Sequence, residues 1–457
     1  MRLSEARQMV QVGLPPLRTA SRALQGCRCV DDFREVARRR LPRAVFDYVD
    51  GGSEMEISLG ANEAAWRSWR FVPQTLRDVS APDLSVQVLG RQLPAPLGLA
   101  PTGYTRMFHP VGEPEVARAA SRAGLPYALS TVGSTSVEAL AATGHGDLWF
   151  QLYMLKDRSR ARRLVERAAE AGYRVLELSV DTAVSGQRLR DARNGLTIPP
   201  SLSLATVADI ARHPRYWTAM LASPVLEFAN LVQAEGTGAG DAPPRGAAGR
   251  QGSTVADIGA AFDPALDWSD LELLRRWWKG PLLLKGPIGP QDAVRAVGAG
   301  VDGLHLSNHG GRQLDRTVAT AALVRPVREA VGEGVTVVVD SGVRHGADIA
   351  VALALGADMC MVGRPYLYGL AAAGGAGVAR VLSLLVDELR RTMQLLGVAT
   401  TAELRAQAGR LLVPGEGSGA VLPGAGPGAL RPGPGHPGIG GPTPVEGASI
   451  PVQGAPL

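Results

Sequence analysis

Between Ala95 and Asp181 the chain reads APLGLA (95–100), EPEVARAASRAG (113–124), PYALS (126–130), SVEALAATG (136–144), LWFQLYM (148–154), DRSRARRLVERAAEAG (157–172) and RVLELSVD (174–181). Short apolar runs alternate with segments whose apolar residues recur at helical spacing. The runs are continuously apolar, as expected of strands covered on both faces, and such strands joined through helices form a parallel sheet. The pattern resumes with PLLLKG (281–286), PQDAVRAVGAG (290–300), DGLHLSN (302–308), a helix near Ala321 to Val331, VTVVVD (335–340), HGADIAVALALGA (345–357) and DMCMVG (358–363). That makes eight strands, the number that closes a (β/α)8 TIM barrel, so an α/β barrel is expected and a doubly wound open sheet is the alternative.

Around this unit three further regions are expected: a flexible N-terminal arm over 1–29, a mobile surface loop over about 196–267, and a disordered Gly/Pro-rich tail over 413–457, leaving 30–412 as the barrel domain. VDDFREVARRRLP (30–42) predicts a helix with an acidic start that runs into AVFDYVDGG (44–52). The loop contains AEGTGAGDAPPRGAAGRQGS (234–253), which has no periodicity, and beyond Val413 roughly half of the residues are Gly or Pro.

With 457 residues, 45% hydrophobic and 20% charged, the chain has the composition of a soluble globular protein. The net charge is +5, yet Lys156, Lys279 and Lys285 are the only lysines and 45 of the 48 basic residues are Arg, scattered over predicted helices, a skew read as codon bias. Nucleic-acid binding would need a concentrated basic face and is excluded as a reading. Three cysteines, Cys27, Cys29 and Cys360, make neither a disulfide framework nor a zinc pattern, which points to a reducing, cytoplasmic compartment and no metal. No stretch is apolar and long enough to span a membrane, so any membrane contact is expected to be peripheral.

In a TIM barrel the site lies at the C-terminal ends of the strands. Here those ends carry Pro101-Thr102-Gly103, Ser130-Thr131, Gln151 and Tyr153, Ser179 and Asp181, Lys285, Ser307-Asn308-His309, Asp340 with Arg344, and Gly363-Arg364. The glycines and arginines of DSGVRHG (340–346) and GRP (363–365) on consecutive loops suit a phosphate dianion. His309 and Arg312 share a Gly-rich loop, the arrangement of a positioned base beside a carboxylate anchor. Asp181 could orient an imidazole, and Arg188 offers a second carboxylate anchor. Lys285, closing LLLK, could stabilise negative charge on a ligand ring or form a Schiff base.

SNHGGRQLD (307–315), with FDYVDGG, LAPTG, WFQLY, VDTAVSGQRLRD, LLLKG, DSGVRHG and GRPYLYG in the same order, resembles the FMN-dependent α-hydroxy acid dehydrogenases and oxidases over roughly Val30 to Val413. The resemblance implies FMN as cofactor and oxidation of an L-2-hydroxy acid. His309 would be the base, Asp181 would stabilise its imidazolium, and Lys285 would sit by the flavin ring. Tyr48 and Tyr153 would hydrogen-bond the substrate, with Arg188 and Arg312 on its carboxylate. FMN would rest on Pro101, Thr102, Gly103, Ser130, Gln151, Ser179, Lys285, Ser307, Asp340, Gly342, Arg344, Gly363 and Arg364.

Val132, where one branch has Trp, and Gly103, where some members have Ala, resemble the respiratory L-lactate dehydrogenases. That implies L-lactate as substrate, a quinone or cytochrome as acceptor, a homo-oligomer (a tetramer in relatives) and a contact with the inner face of the cell membrane through the loop after the fourth strand. The rivals are an oxygen-using oxidase of a larger acid such as mandelate, and a flavin-binding isomerase on a similar barrel, which lacks the His309 and Arg312 arrangement.

Overall fold

The computed structural model describes residues 24–195, 204–232 and 262–415. Eight parallel strands form a closed barrel: β1 (Leu97–Leu99), β2 (Pro126–Ser130), β3 (Asp147–Tyr153), β4 (Val175–Ser179), β5 (Leu282–Gly286), β6 (Gly303–Leu306), β7 (Thr336–Val339) and β8 (Met359–Val362). Each strand hydrogen-bonds to its neighbours in sequence, and β8 closes on β1 through Cys360 opposite Leu97 and Val362 opposite Leu99. All the strand residues except Thr336 are buried, as the unbroken apolar runs require.

Because successive side chains point to opposite faces, each strand serves two cores. One set, including Leu97, Leu99, Leu129, Phe150, Leu176 and Leu178, packs outward in the same cluster as helix residues such as Val116, Leu164 and Val165. The other set, including Ala128, Trp149, Leu283, Val338 and Met361, fills the barrel together with Val88 and Leu93 of a hairpin pairing Val86–Val88 with Arg91–Leu93. The outer helices are α1 (Gly112–Arg122), α2 (Val137–Ala141), α3 (Arg158–Glu170), α4 (Trp268–Trp277), α5 (Pro290–Gly298), α6 (Thr320–Val331), α7 (Gly346–Leu355) and α8 (Arg364–Ala373).

Before the barrel come three helices, Val30–Arg40, Arg43–Asp50 and Ile57–Arg67. The first starts where Asp32 accepts from the backbone N–H of Arg28 and Cys29, and its acidic first turn and Arg38 to Arg40 at its end complement the helix dipole. Phe33 and Ala37 anchor its inner face. A 22-residue helix, Gly375–Leu396, follows α8.

The ordered boundaries differ from those expected. Packing begins before residue 30, with a helical turn at 24–26 and Cys27 buried. At the other end Leu412–Pro414 pairs with Trp69–Phe71, and Val413, expected to open the disordered tail, sits opposite Arg70 and is buried. Within the interruption after β4, residues 204–232 carry helices Leu204–Ala211, Pro214–Leu221 and Ala229–Val232, with Phe228, Asn230 and Leu231 buried; a wholly mobile surface loop is therefore corrected there. The stretch 234–253, residues 1–23 and the tail from 416 lie outside the described residues.

Candidate active site

A cavity of about 1310 Å³, its open mouth included, lies at the C-terminal ends of the strands. The loops after β1, β2, β4, β6, β7 and β8 contribute to its wall, β3 and β5 themselves contribute Tyr153 and Lys285, and the helix Arg43–Asp50 lays Tyr48 and Val49 across one side. Of the residues singled out in the sequence, it brings together Tyr48, Pro101, Thr102, Gly103, Tyr153, Arg188, Lys285, His309, Arg312, Asp340, Gly342, Arg344, Gly363 and Arg364. Ser130, Gln151, Ser179, Asp181 and Ser307 are not on this wall. They stand immediately behind it as buried hydrogen-bond partners.

His309 is set by an unusual backbone. It has φ +57°, and Gly310 (+64°) and Gly311 (+76°) continue the left-handed conformation, which is costly for a residue with a Cβ and free for glycine. A Cβ on Gly311 would lie 2.6 Å from the backbone nitrogen of Leu59. The turn is held by hydroxyls: His309 N donates to Ser307 Oγ (3.1 Å), and Gly310 N donates to Ser341 Oγ (3.0 Å). Asn308 and Asn62 exchange two amide hydrogen bonds of 2.8 Å, joining the loop to the helix Ile57–Arg67.

The imidazole lies between two partners, Asp181 Oδ2 at 2.8 Å from Nδ1 and Tyr153 Oη at 2.8 Å from Nε2. A carboxylate accepts only, so Nδ1 carries the proton and Nε2 keeps the lone pair that accepts the Tyr153 hydroxyl. Burial alone would push the Asp181 carboxyl up, but the His309 ring and the Lys285 ammonium hold it below the usual carboxylate range. Oδ1 of Asp181 is buried without a hydrogen bond.

In the same cavity the guanidinium groups of Arg188 and Arg312 lie 5.4 Å and 4.9 Å from the centre of the Tyr48 ring. Arg188 Nε donates to Asp191 at 2.7 Å, and Arg312 Nη1 donates to the carbonyls of Tyr48 (2.6 Å) and Gly51 (3.0 Å). Burial, and next the charge of Arg188, lower the Arg312 pKa. Two cations crowded in this way leave a net positive spot that an anion would relieve.

Behind the wall, Ser130 Oγ donates to Gln151 Oε1 (2.8 Å) and Gln151 Nε2 to Ser179 Oγ (3.0 Å). Lys285 Nζ donates to Ser307 Oγ at 2.9 Å and lies 3.7 Å from Asp340 Oδ2. Among the residues of the loop after β7, Gly342 has φ +88°, and a Cβ there would meet Asn62 at 2.6 Å. Arg344 Nη2 lies 3.1 Å from Glu63.

Arg364 differs from the simple expectation of an anion ligand. Its nitrogens donate to the carbonyls of Val49 (2.8 Å), Gly51 (2.7 Å) and Gly310 (3.0 Å), bracing the Tyr48 helix against the His309 turn, and burial pushes its pKa down to about 10. Sequence reasoning also missed Ser341, Asn62 and the aromatic wall of Tyr104, Phe108, Phe228 and Phe262. Ser341 lies inside DSGVRHG, and Tyr104 and Phe108 come close after LAPTG; the others lie near none of these motifs. Among the described residues no group of acidic, His and Cys side chains could hold a metal ion, and no helix is long and apolar enough to cross a membrane.

A protein-family model, FMN-dependent dehydrogenase, matches residues 37–410. A putative L-lactate dehydrogenase of Mycobacterium tuberculosis is 43% identical over 404 residues, covering 88% of this chain and 94% of that one. An L-lactate dehydrogenase of Alcaligenes faecalis is 38% identical over 377 residues, covering 82% and 97%. Among solved structures, a monotopic membrane protein, (S)-mandelate dehydrogenase, superposes with a TM-score of 0.78 at 37% identity over 85% of this chain and all of that one. A mandelate oxidase gives a TM-score of 0.71 at 38% identity over 85% and 99%. A match across most of the barrel, with His309, Arg312 and the two Gly-Arg loops inside it, leaves one conclusion: the chain belongs to the FMN-dependent dehydrogenase family.

Proposed function

We propose that this protein oxidises an L-2-hydroxy acid to the 2-keto acid, with L-lactate the favoured substrate, and delivers the electrons to a quinone or a cytochrome. The observation that carries the reading is His309, held between Asp181 and Tyr153 in one cavity with two arginines that share the Tyr48 ring. A base opposite a fixed anion clamp is what oxidation of a hydroxy carboxylate needs.

The cavity fits FMN. Arg344, the α8 N-terminus at Gly363 and Arg364, and the close-approach glycine Gly342 offer a phosphate cradle, while Lys285 and Gly103 border the space for a flat ring, with the Ser130–Gln151–Ser179 ladder behind that wall. At Gly103 a Cβ would already meet Val132 at 2.6 Å, so this wall leaves no room for a side chain there. Pro101, Thr102, Ser307 and Asp340 complete the set that would hold the cofactor. When bound, FMN supplies the two-electron acceptor.

The chain's own residues supply the rest. Arg188 and Arg312 bind the substrate carboxylate, and Tyr48 and Tyr153 orient the hydroxyl end. His309 Nε2 takes a proton from the substrate, and Asp181 stabilises the imidazolium that results. Lys285 places positive charge where the cofactor gains electron density.

A second reading, oxidation of a bulkier acid such as mandelate with oxygen as acceptor, draws on the aromatic wall of Tyr104, Phe108, Phe228 and Phe262 and on the similarity to mandelate enzymes. Exposed Val207, Trp217, Leu221 and Val225 in the segment after β4 support peripheral contact with a membrane surface. A homo-oligomer and a cytoplasmic, membrane-facing location complete the proposal.

The test is anaerobic mixing of the yellow protein with a panel of L- and D-2-hydroxy acids. Bleaching by L-lactate ahead of mandelate supports the first reading; bleaching by mandelate alone, with stoichiometric peroxide under air, supports the second. Protein that binds no FMN overturns both.

A further inference from the structure

The interior of a (β/α)8 barrel is ordinarily packed with branched apolar side chains, yet here it contains a charged cluster. Glu177 on β4 and His305 on β6 are both wholly buried. His305 lies in register with Lys285 on β5 and with Val338 on β7, so its ring points inward beside the inward-facing lysine. Nδ1 of His305 is hydrogen-bonded to Glu177 Oε1 at 3.2 Å, while Nε2, 3.1 Å from Asp340 Oδ2, is in charge contact with it but off the line of a hydrogen bond. The other Glu177 oxygen, Oε2, is buried without a partner.

We propose that His305 is a positioning residue for the FMN site: as an imidazolium between Glu177 and Asp340 it occupies the Asp340 carboxylate, leaving the Lys285 ammonium directed at the pocket. This rests on the reading that FMN binds there with Lys285 beside its ring. The argument is one of charge balance. Glu177 and Asp340 are two buried carboxylates, and Lys285 is one buried ammonium; a proton on His305 brings the cluster to neutrality, and an unbalanced buried charge is costly. Desolvation works against that proton, but the carboxylates on either side outweigh it and raise the His305 pKa.

The same balance explains the lysine. Its ammonium stops 3.7 Å from Asp340, too far for a hydrogen bond, and donates instead to Ser307. Asp340 Oδ1 accepts from Ser341 Oγ at 2.6 Å, so the imidazolium and Ser341 between them engage both carboxylate oxygens. Without the imidazolium, Lys285 would be the one cation left in the cluster for Asp340, and the ammonium would close on it. Reduced flavin carries more negative charge than oxidised flavin, so less positive field at the pocket disfavours the reduced form.

The experiment uses the FMN-loaded full chain and its two-electron midpoint potential, measured by dye equilibration. Glu177→Leu combined with His305→Leu replaces the internal pair by apolar side chains. The equilibrium constant for reduction should fall at least tenfold, a shift of about 30 mV. Glu177→Gln alone, which leaves the imidazolium against Asp340, should shift the potential by less than half as much. A double variant at the wild-type potential overturns the proposal. Independently of any variant's folding, NMR of histidine-labelled wild-type protein should show the His305 ring doubly protonated at pH 7, and a neutral ring overturns the proposal as well. Wild-type protein that takes up no FMN would overturn the underlying functional reading instead, and the NMR result separates the two failures.

Discussion

Replacing Asp181 by Asn tests how much of the chemistry depends on one buried charge. The Asp181 carboxylate accepts from His309 Nδ1 at 2.8 Å, and its other oxygen is buried with no hydrogen bond. An asparagine has two ways to sit there. With its oxygen toward Nδ1 it keeps a neutral hydrogen bond and strands an NH2 group. With its NH2 toward Nδ1 it forces the other tautomer, placing a proton on Nε2 where a lone pair is needed. In either case the imidazolium loses a charged partner, and a hydrogen bond to a charged group is worth about 1.5–3 kcal/mol. At 1.36 kcal/mol per tenfold, the rate of flavin reduction should fall roughly 10- to 150-fold, with the second orientation giving the larger loss. Stopped-flow reduction under anaerobic conditions at saturating substrate measures this directly. The FMN content, read from the visible spectrum, should be unchanged because Asp181 lies behind the cavity wall. A variant with full FMN that reduces within threefold of wild type would refute the assignment of Asp181 to the imidazolium.

Three further outcomes follow from other contacts. Arg188→Lys should raise KM by about tenfold or more with a smaller change in kcat, since a point charge cannot reproduce a planar fork on a carboxylate; steady-state kinetics decide it, and an unchanged KM would show that Arg188 does not grip substrate. Asp50, buried, accepts from Arg34 (2.5 and 2.8 Å), Arg190 (3.0 Å) and Tyr368 (2.9 Å). Burial pushes its carboxyl up, but the Arg34 hydrogen bonds outweigh that and the pKa is lowered. Its stabilisation is therefore complete above the ordinary carboxylate range and disappears as pH falls through the folded-state pKa. Asp50→Asn should accordingly cost about 3 kcal/mol in denaturant unfolding at pH 7, with the gap to wild type narrowing below about pH 4. Truncation after Arg410 removes the buried Leu411, Leu412 and Val413 and the pairing to Trp69–Phe71. At about 1.5–3 kcal/mol per buried side chain it should lower Tm by several degrees relative to truncation after Gly415.

The barrel was legible because each strand is a short, mainly apolar run, and the residues that follow its C-terminal end lie at the mouth whatever surrounds them. The same holds for Asp181, Lys285 and His309, each fixed within a few residues of a strand end. Contacts between distant segments were not legible. Asn62 and Asn308 are 246 positions apart, and Arg364 reaches Val49 across 315; nothing local in either segment specifies its partner. The segment after β4 was read as loop because its Gly-rich centre dominates its composition. Its flank still buries Phe228 and Asn230, the latter accepting from Val137 N at 2.9 Å. The C-terminal strand was missed for a related reason: three residues of LVP carry no periodicity, and the Trp69–Phe71 edge that recruits them is far away in sequence.

The arginine content has a structural use that codon bias does not supply. Arg174 grips Asp147 with two nitrogens at 2.8 Å and gives a third hydrogen bond, at 2.9 Å, to the carbonyl of Leu89 in the hairpin that joins the barrel interior. Arg328 reaches the carbonyls of Gly356, Gly332 and Val335 and the carboxylate of Asp358. Arg364 does the same for Val49, Gly51 and Gly310. Each serves several acceptors on different segments at once, using donors spread over a rigid plane. An ammonium has three donors on one atom at the end of a flexible stem and cannot reach three carbonyls that diverge by the width of a guanidinium. The cavity wall follows from this, because the helix carrying Tyr48 belongs to no barrel unit and is held over the strand ends by Arg312 and Arg364. Scattered arginines therefore need not form a binding face to be functional. Here they position the N-terminal helices, and that in turn completes a site whose chemistry lies at the strand ends.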